Sequence, residues 1–481
     1  MRKRTAIVGA GPAGICMGIA LRRAGLDFTI FERAEAIGGT WHHNSYPGAA
    51  CDIPSALYQF SFDIRCDWSR PYAPQPEIRA YLQDCAARHG LLPHVRLSTP
   101  VIAARWDEAR ALWTLTTGNG ASHEFEILVS AVGMFGDPQW PDIDGLHEFG
   151  GALFHSARWA HGHDLGEERV AVIGSAASAV QVVPAIAPRV QRLHVFQRTP
   201  NWVLAKQDAP YSASELARFG RDPAPILAAR REAWDWLEAL ITFADPAHRQ
   251  QSETWGRENA ALVADAGVRA RLTPDYPFGS KRALVSNDWF PAFNRDNVEL
   301  VTEPIARVTH GGIRTADGRE RQVDTIVLAT GFATTRFASV MDVIGRGGLR
   351  LRDAWSDGAQ AYLGIAVPAF PNLFMLYGPN TNNGSILFMI ECQVEYILRR
   401  LARMGEEALD WLDVRPAALA AYDAQLQRDL QAVQVWQTGT RDYYRAASGR
   451  IVTQWPCTMS AYHALTTRPD PGAWDAGRRT G

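Results

Sequence analysis

The chain has 481 residues, with 49 basic against 51 acidic side chains and a formal charge of −2. That length exceeds what one hydrophobic core sustains, so two or three domains are expected. The balanced charge, with no basic block, gives no electrostatic case for nucleic acid or an anionic membrane surface. Met1-Arg-Lys-Arg4 is followed only by a short apolar run before Gly9-Ala-Gly11, which reads as a buried first strand rather than a secretion signal. No uninterrupted apolar stretch is long enough for a membrane span. The six cysteines (Cys16, Cys51, Cys66, Cys85, Cys392, Cys457) show neither C-x-x-C nor metal-ligand spacing. The expectation is free, mostly buried thiols in a reducing cytoplasm, no metal, and no dithiol reductase.

In chain order, the spacing predicts a strand at Thr5–Val8, a turn at Gly9-Ala-Gly11-Pro-Ala-Gly14, a helix over 15–24 and a strand at Phe28–Phe31. The three glycines suit a tight turn, close approach to a pyrophosphate, and close helix–strand packing. Uncapped N–H groups at the helix start would meet the phosphates, and Glu32, ending the second strand, would hold both ribose hydroxyls. A glycine turn without ligand is the alternative. The segment from Gly38 through Trp41 and Tyr46-Pro-Gly48 to Asp52 is too rich in Gly and Pro for a regular element and belongs over a ligand. Trp41 and Tyr46 there could instead be core aromatics. Residues 95–135 alternate like strands, with a hairpin turn at Gly118-Asn-Gly120, and 127–133 returns as a strand. Pro138, Pro141 and Gly145 punctuate the way into the bridge Phe149-Gly-Gly-Ala-Leu-Phe-His155-Ser-Ala-Arg-Trp159.

A second unit opens at Arg169-Val-Ala-Val-Ile-Gly174-Ser-Ala-Ala-Ser-Ala179, with alanines (Ala176, Ala179) at the second and third glycine positions. Glu32 lies 23 residues after Gly9, and the same step from Gly174 reaches Gln197, followed by Arg198. Exchanging a carboxylate for a guanidinium is what a 2′-phosphate requires, so this site should prefer NADPH over NADH; a surface arginine is the alternative. Residues 211–270 are helical in period, and Leu227, Trp234, Leu237 and Ile241 form one expected buried stripe. Lys281-Arg282 precedes an Asn294-x-x-Asn-Val strand, and Asp324–Phe332 is a strand ending in Ala-Thr-Gly331. Leu387, Ile390, Val394, Ile397 and Leu401 step by three and four, an amphipathic core helix. The last ten residues read as a loose tail.

Phe149, Gly151, His155 and Trp159, with the Gly39-Thr-Trp41 and Tyr46-Pro-Gly48…Asp52 loop, Lys281-Arg282, Ala-Thr-Gly331 and Leu376-Tyr-Gly-Pro-Asn380-Thr-Asn382, resemble the type I Baeyer–Villiger monooxygenases of the flavin-containing monooxygenase superfamily. The resemblance extends to Gly449-Arg450 and Trp455-Pro456 and spans Gly9 to about Pro469; Ala160 and Ala176 depart from the family form. It implies an α/β fold of two dinucleotide-binding, Rossmann-like domains with a helical insertion. The implied layout is an FAD-binding domain at 1–145 and 336–481, an NADPH-binding domain at 146–210 and 276–335, and the helical insertion at 211–275.

The resemblance gives flavin-side contacts to Thr40, Trp41, Asp52, Tyr58 and Val101 beside the Gly9, Gly11, Gly14 and Glu32 turn. NADPH contacts fall to Ser175, Ala176, Ser178, Ala179, Gln181, Arg198, Thr199 and Lys281 beside Gly174. Arg282, with Asp52 as carboxylate partner, takes the catalytic role. The implied chemistry is hydride transfer from NADPH to FAD, dioxygen uptake to a C4a-peroxyflavin, and attack on a small ketone to give an ester or lactone. Two other readings stay open: oxygenation of amine or sulfide atoms, and a non-oxygenating FAD/NADPH redox sensor.

Overall fold

Thr5–Val8 is apolar enough to lie wholly buried, and it forms the middle of a five-stranded parallel sheet. The computed structural model describes residues 3–440 and 442–479. The order across that sheet is Leu373–Met375, Ile127–Ser130, Thr5–Val8, Phe28–Phe31 and Val95–Arg96. The first helix runs over Pro12–Arg23, starting earlier than its apolar pattern suggests, because Pro12 presets the helical φ and lacks an N–H the first turn would leave unpaired. It packs against Ile386–Glu406, whose buried Leu387, Ile390, Val394 and Ile397 form the predicted stripe.

A second parallel sheet has the order Val298–Val301, Arg192–Phe196, Arg169–Ile173, Thr325–Leu328 and Ala152–His155. Its inner strands are apolar on both faces, as parallel strands covered by helices must be. The two Rossmann-like sheets give the α/β class read from the sequence. Antiparallel strands Leu112–Thr117 and Ser122–Phe125 close a hairpin through Gly120, whose φ of +82° suits the turn. Helices Ala213–Phe219, Ala224–Leu240, Pro246–Ala260 and Ala266–Leu272 fill the span between two strands of the second sheet.

Two expectations are corrected. Of the expected stripe, Leu237 and Ile241 are buried and Trp234 is half-buried, but Leu227 is 47% exposed, and Ile226 and Ala233 complete the buried face. Arg230, polar by sequence, also turns inward there and hydrogen-bonds carbonyls of the turn at residues 56–59. The end of the chain is not loose as far as residue 479: Trp474–Gly477 pairs antiparallel with Trp411–Val414. Trp474 is buried, its indole donates to the Tyr396 hydroxyl at 3.0 Å, and Arg415 pairs with Asp475 at 2.7 Å. Residues 480 and 481 of that predicted tail lie outside the described residues. Among the described residues, no helix is long and apolar enough to cross a membrane.

Candidate active site

The two glycine turns are built on one plan. Gly9 has φ +108°, and a Cβ there would sit 2.6 Å from the Ala131 carbonyl oxygen. Gly174 has φ +120°, with a Cβ 2.3 Å from the Ala329 carbonyl oxygen. In both, the backbone of a neighbouring strand end leaves no room for a side chain. Gly14 serves packing, since its Cβ would lie 1.9 Å from the Gly9 oxygen, and Ala179 is buried at the corresponding place. Neither following helix has a side-chain cap, which leaves first-turn N–H groups for an anion.

Both turns open into one cleft of about 1640 Å³. From residues up to 101, Gly9, Gly11, Glu32, Thr40, Trp41, Asp52, Tyr58 and Val101 line it. From residues 174–282 come Gly174, Ser175, Ala176, Ser178, Gln181, Arg198, Thr199, Lys281 and Arg282. Glu32 is buried and accepts from the N–H groups of Ala10 at 2.7 Å and Ala34 at 2.9 Å, one to each carboxylate oxygen. Each oxygen keeps a second lone pair. Gln197 is buried at the cleft wall and donates to the Arg271 carbonyl at 2.7 Å, while Arg198 is exposed to the cleft. Burial, and then the Arg198 charge, push the pKa of Lys281 down, with Asp442 opposing. Two cations therefore converge on one wall.

Arg282 Nε and Nη2 both donate to Asp52 Oδ2, at 2.8 and 2.6 Å, across 230 residues of sequence. The Asp52 carboxylate raises the guanidinium pKa well above its ordinary value, so the group is a permanent cation despite partial burial. Around it stand phenols: Tyr58, expected at the flavin side, and Tyr377, which sequence reasoning did not assign to the site. Tyr377 is held at φ +54° by its N–H donating to Gln393 Oε1 at 2.8 Å, and its hydroxyl donates to Asn382 Oδ1 at 2.7 Å. Burial pushes the Tyr377 and Tyr58 hydroxyls up, which keeps both as neutral donors. Tyr58 accepts from the Trp41 indole at 3.0 Å. Phe135, Phe332 and Tyr443 complete an aromatic wall, with Phe135 5.6 Å from Phe332 and 6.5 Å from Tyr443. The signal for Tyr377 was present in the Leu376–Asn382 segment; Phe135 and Tyr443 lie in stretches with no spacing to mark them.

The halves of the cleft are tied together at Gln181. Its side chain accepts from the Tyr46 hydroxyl at 2.9 Å and donates to the Ala50 carbonyl at 2.9 Å. Gly48 passes so close that a Cβ would lie 2.5 Å from the Gln181 carbonyl oxygen. Phe149, Gly151, His155 and Trp159 do not line the cleft. Gly151 packs against the Asp324 carbonyl, where a Cβ would sit at 2.2 Å, and Phe149 abuts it. His155 Nδ1 accepts from the Ala157 N–H at 3.1 Å, and burial lowers the imidazole to about 4, so it is neutral near pH 7. Its ring lies 5.8 Å from Phe332, directly beneath the cleft wall. Trp159 stacks edge-on with Phe154 at 5.1 Å.

A profile of the family described as pyridine nucleotide-disulphide oxidoreductase matches residues 6–218. A protein named Baeyer-Villiger monooxygenase from Pseudomonas aeruginosa is 40% identical over 479 residues, covering 98% of this chain and 91% of that one. The chain belongs to the Baeyer–Villiger monooxygenase family. Among solved structures, OTEMO in complex with FAD and NADP is 28% identical with a TM-score of 0.87, covering 99% of each chain. Cyclohexanone-bound cyclohexanone monooxygenase is likewise 28% identical with a TM-score of 0.87 over 99% of each chain. All six cysteines are free, and no two lie in a C-x-x-C pair. Within this Baeyer–Villiger framework Ala176 stands exposed at the cleft edge, so the methyl that replaces the usual glycine hydrogen faces the nucleotide space.

Proposed function

We propose that the chain is an FAD- and NADPH-dependent monooxygenase that places one oxygen atom of O2 next to a ketone carbonyl, giving an ester or lactone. The observation that carries the reading is the Arg282–Asp52 pair, set in one cleft between two glycine turns and two uncapped helix starts. FAD fits the first turn: the backbone approaches at Gly11, and Glu32 keeps free lone pairs for ribose hydroxyls. NADPH fits the second, with Arg198 and Lys281 as paired cations for a 2′-phosphate. When bound, FAD supplies hydride acceptance and dioxygen activation, which no side chain provides.

The protein's own groups do the rest. Arg282 supplies a fixed positive charge where negative charge builds on oxygen, through donors that need no reorganisation. Asp52 engages one edge of the guanidinium, Nε and Nη2, and so aims Nη1 away from the pair. Tyr58 accepts from Trp41 and, kept neutral by burial, retains its own O–H to donate, while Tyr377 gives its O–H to Asn382 and offers only its ring and oxygen lone pair. The Phe135–Phe332 wall keeps water from the reacting atoms. His155 supports Phe332 from below and touches no substrate in this reading. The layout of the domains follows: 1–145 and 336–481 for FAD, 146–210 and 276–335 for NADPH, with 211–275 as a helical block. A ketone and sulfide panel with NADPH or NADH, products identified by mass spectrometry, tests the reading. Ester or lactone from a ketone with NADPH preference supports it; sulfoxide alone would point to oxygenation at soft atoms, and cofactor binding without any oxygenated product to a redox-sensing protein.

A further inference from the structure

In the turn that carries Tyr58, the amides of Leu57 and Tyr58 both donate to the Pro54 carbonyl at 2.9 Å. Three of its carbonyls and two of its amides are instead met by side chains reaching in from distant elements. Arg230 Nη1, from the helix Ala224–Leu240, donates to the carbonyls of Ala56, Leu57 and Gln59 at 3.2, 3.3 and 3.3 Å. Glu391, from the helix Ile386–Glu406, accepts the Ser61 N–H at 2.7 Å. The Tyr81 hydroxyl accepts the Phe60 N–H at 2.8 Å. A cation thus gathers carbonyl oxygens on one side of the turn and a carboxylate takes an amide hydrogen on the other, each group matching the polarity it meets. Burial pushes the Arg230 pKa down and the Glu391 pKa up, and the attraction between the two charges opposes both shifts.

Tyr58 lies between two of the carbonyls that Arg230 holds, and its ring lines the cleft beside Asp52 and Arg282. We propose that Arg230 and Glu391 are positioning residues: together they clamp the 56–61 turn so that Tyr58, braced by Trp41, is presented to the flavin. The helical block between the two halves of the second sheet is thereby coupled to the flavin site rather than being packing alone. This rests on the FAD-binding part of the proposed function. Arg230 touches no reacting atom; it acts through the turn. Its partly buried, charged side chain on an otherwise apolar helix face is the cost that such a role explains, since a leucine there would bury more cheaply.

The test uses the full chain, apo and reconstituted with FAD, carrying Arg230→Met, Arg230→Lys or Glu391→Gln. Hydrogen–deuterium exchange is read on peptides covering 54–61, with peptides from the Thr5–Val8 sheet as internal reference. The expected result for Arg230→Met is about tenfold faster exchange confined to 54–61, with about tenfold weaker FAD binding by flavin fluorescence, since about one residue's worth of charge-assisted bonding is lost. KM for NADPH should stay within about twofold, because the Arg198 and Lys281 wall is untouched. Arg230→Lys should recover part of both effects, and Glu391→Gln should show the smaller share, keeping an acceptor for Ser61. Exchange that rises equally across the chain, or 54–61 protection and FAD affinity equal to wild type in Arg230→Met, overturns the proposal. These readouts do not depend on oxygenation: a wild-type protein that binds FAD yet converts no ketone refutes the proposed activity and leaves the clamp to be decided by exchange and flavin affinity.

Discussion

Gly9 and Gly174 meet the same obstacle, a carbonyl oxygen of the adjacent strand end, yet what lies over the two turns differs. Beyond Gly9, Ala10 and Gly11 are buried, and the Gly38–Gly39 backbone folds onto them: a Cβ at Gly39 would stand 2.7 Å from the Gly11 Cα. Beyond Gly174, Ser175 is buried against Thr199 and Asn201, but Ala176 and Ala177 are exposed. The first turn is roofed and the second is open. A roofed site suits a group that stays through many turnovers, and an open one suits a cosubstrate that must leave. The same contrast accounts for the sequence: where a roof presses on the backbone only glycine fits, and where the turn faces open space an alanine is tolerated. The polar groups follow suit, a buried carboxylate with two backbone donors at Glu32 against an exposed guanidinium at Arg198.

Arg282 belongs to neither turn and stands where the two halves meet, so its loss should be the largest. Arg282→Ala should still bind FAD and NADPH, but ester formation should fall by about a hundredfold or more, in the range seen when a preorganised charge-stabilising donor is removed. NADPH consumption should then appear as hydrogen peroxide. Arg282→Lys should rescue little, because a point ammonium cannot reproduce the two-donor edge that Asp52 grips. Product analysis beside a peroxide assay decides it; near-wild-type ester yield from Arg282→Ala would remove this residue from the chemistry.

The open turn should be the more sensitive to a single charge. Arg198→Ala should raise KM for NADPH by roughly ten- to a hundredfold, the loss of one charge-assisted contact, and leave KM for NADH nearly unchanged. Steady-state kinetics with both nucleotides give the answer, and equal losses would mark Arg198 as structural. At the roofed turn the matching change is milder. Glu32→Gln keeps one acceptor oxygen of two, so FAD binding should weaken by about 1 kcal/mol, roughly fivefold. Because the amide group cannot accept from both Ala10 and Ala34, thermal stability should fall as well, and calorimetry of the apo protein separates that share.

How much of this was legible beforehand depends on the distance over which each feature is determined. The first strand, turn and second strand are local, fixed by a handful of residues and their glycines, and they were readable together with the fold class. The Arg282–Asp52 pair closes over 230 residues, and no spacing rule reaches that far; only the family resemblance put the two in one sentence. Leu227 was misplaced because period-based reading treats a polar residue as outward, whereas Arg230 faces inward on hydrogen bonds to a turn some 170 residues earlier. The final strand was missed for a similar reason: four residues signal nothing until Trp411–Val414 is beside them. Phe135 and Tyr443 carry no pattern at all, since an aromatic wall is assembled from loops.

The smallest change isolates the roof itself. Ala176 is exposed at the cleft edge and its φ is not in the left-handed region, so its methyl stands between a pyrophosphate and the backbone without being demanded by the fold. Ala176→Gly should let both NADPH and NADH approach more closely, tightening each by a few-fold at most, because the gain is offset by the roughly 0.5–1 kcal/mol that a more flexible glycine costs on ordering. The ratio between the two nucleotides should not move if, as proposed, Arg198 is the residue that reads the 2′-phosphate. The reciprocal change, Gly11→Ala, places a methyl 3.4 Å from the Gly39 Cα, at the edge of ordinary contact, and takes up space between the turn and its covering loop. It should therefore weaken FAD while leaving both nucleotides alone. If instead Ala176→Gly alters FAD affinity as much as nucleotide affinity, measured by titrating each ligand separately, then the two turns are not independently covered and the difference between them has another origin.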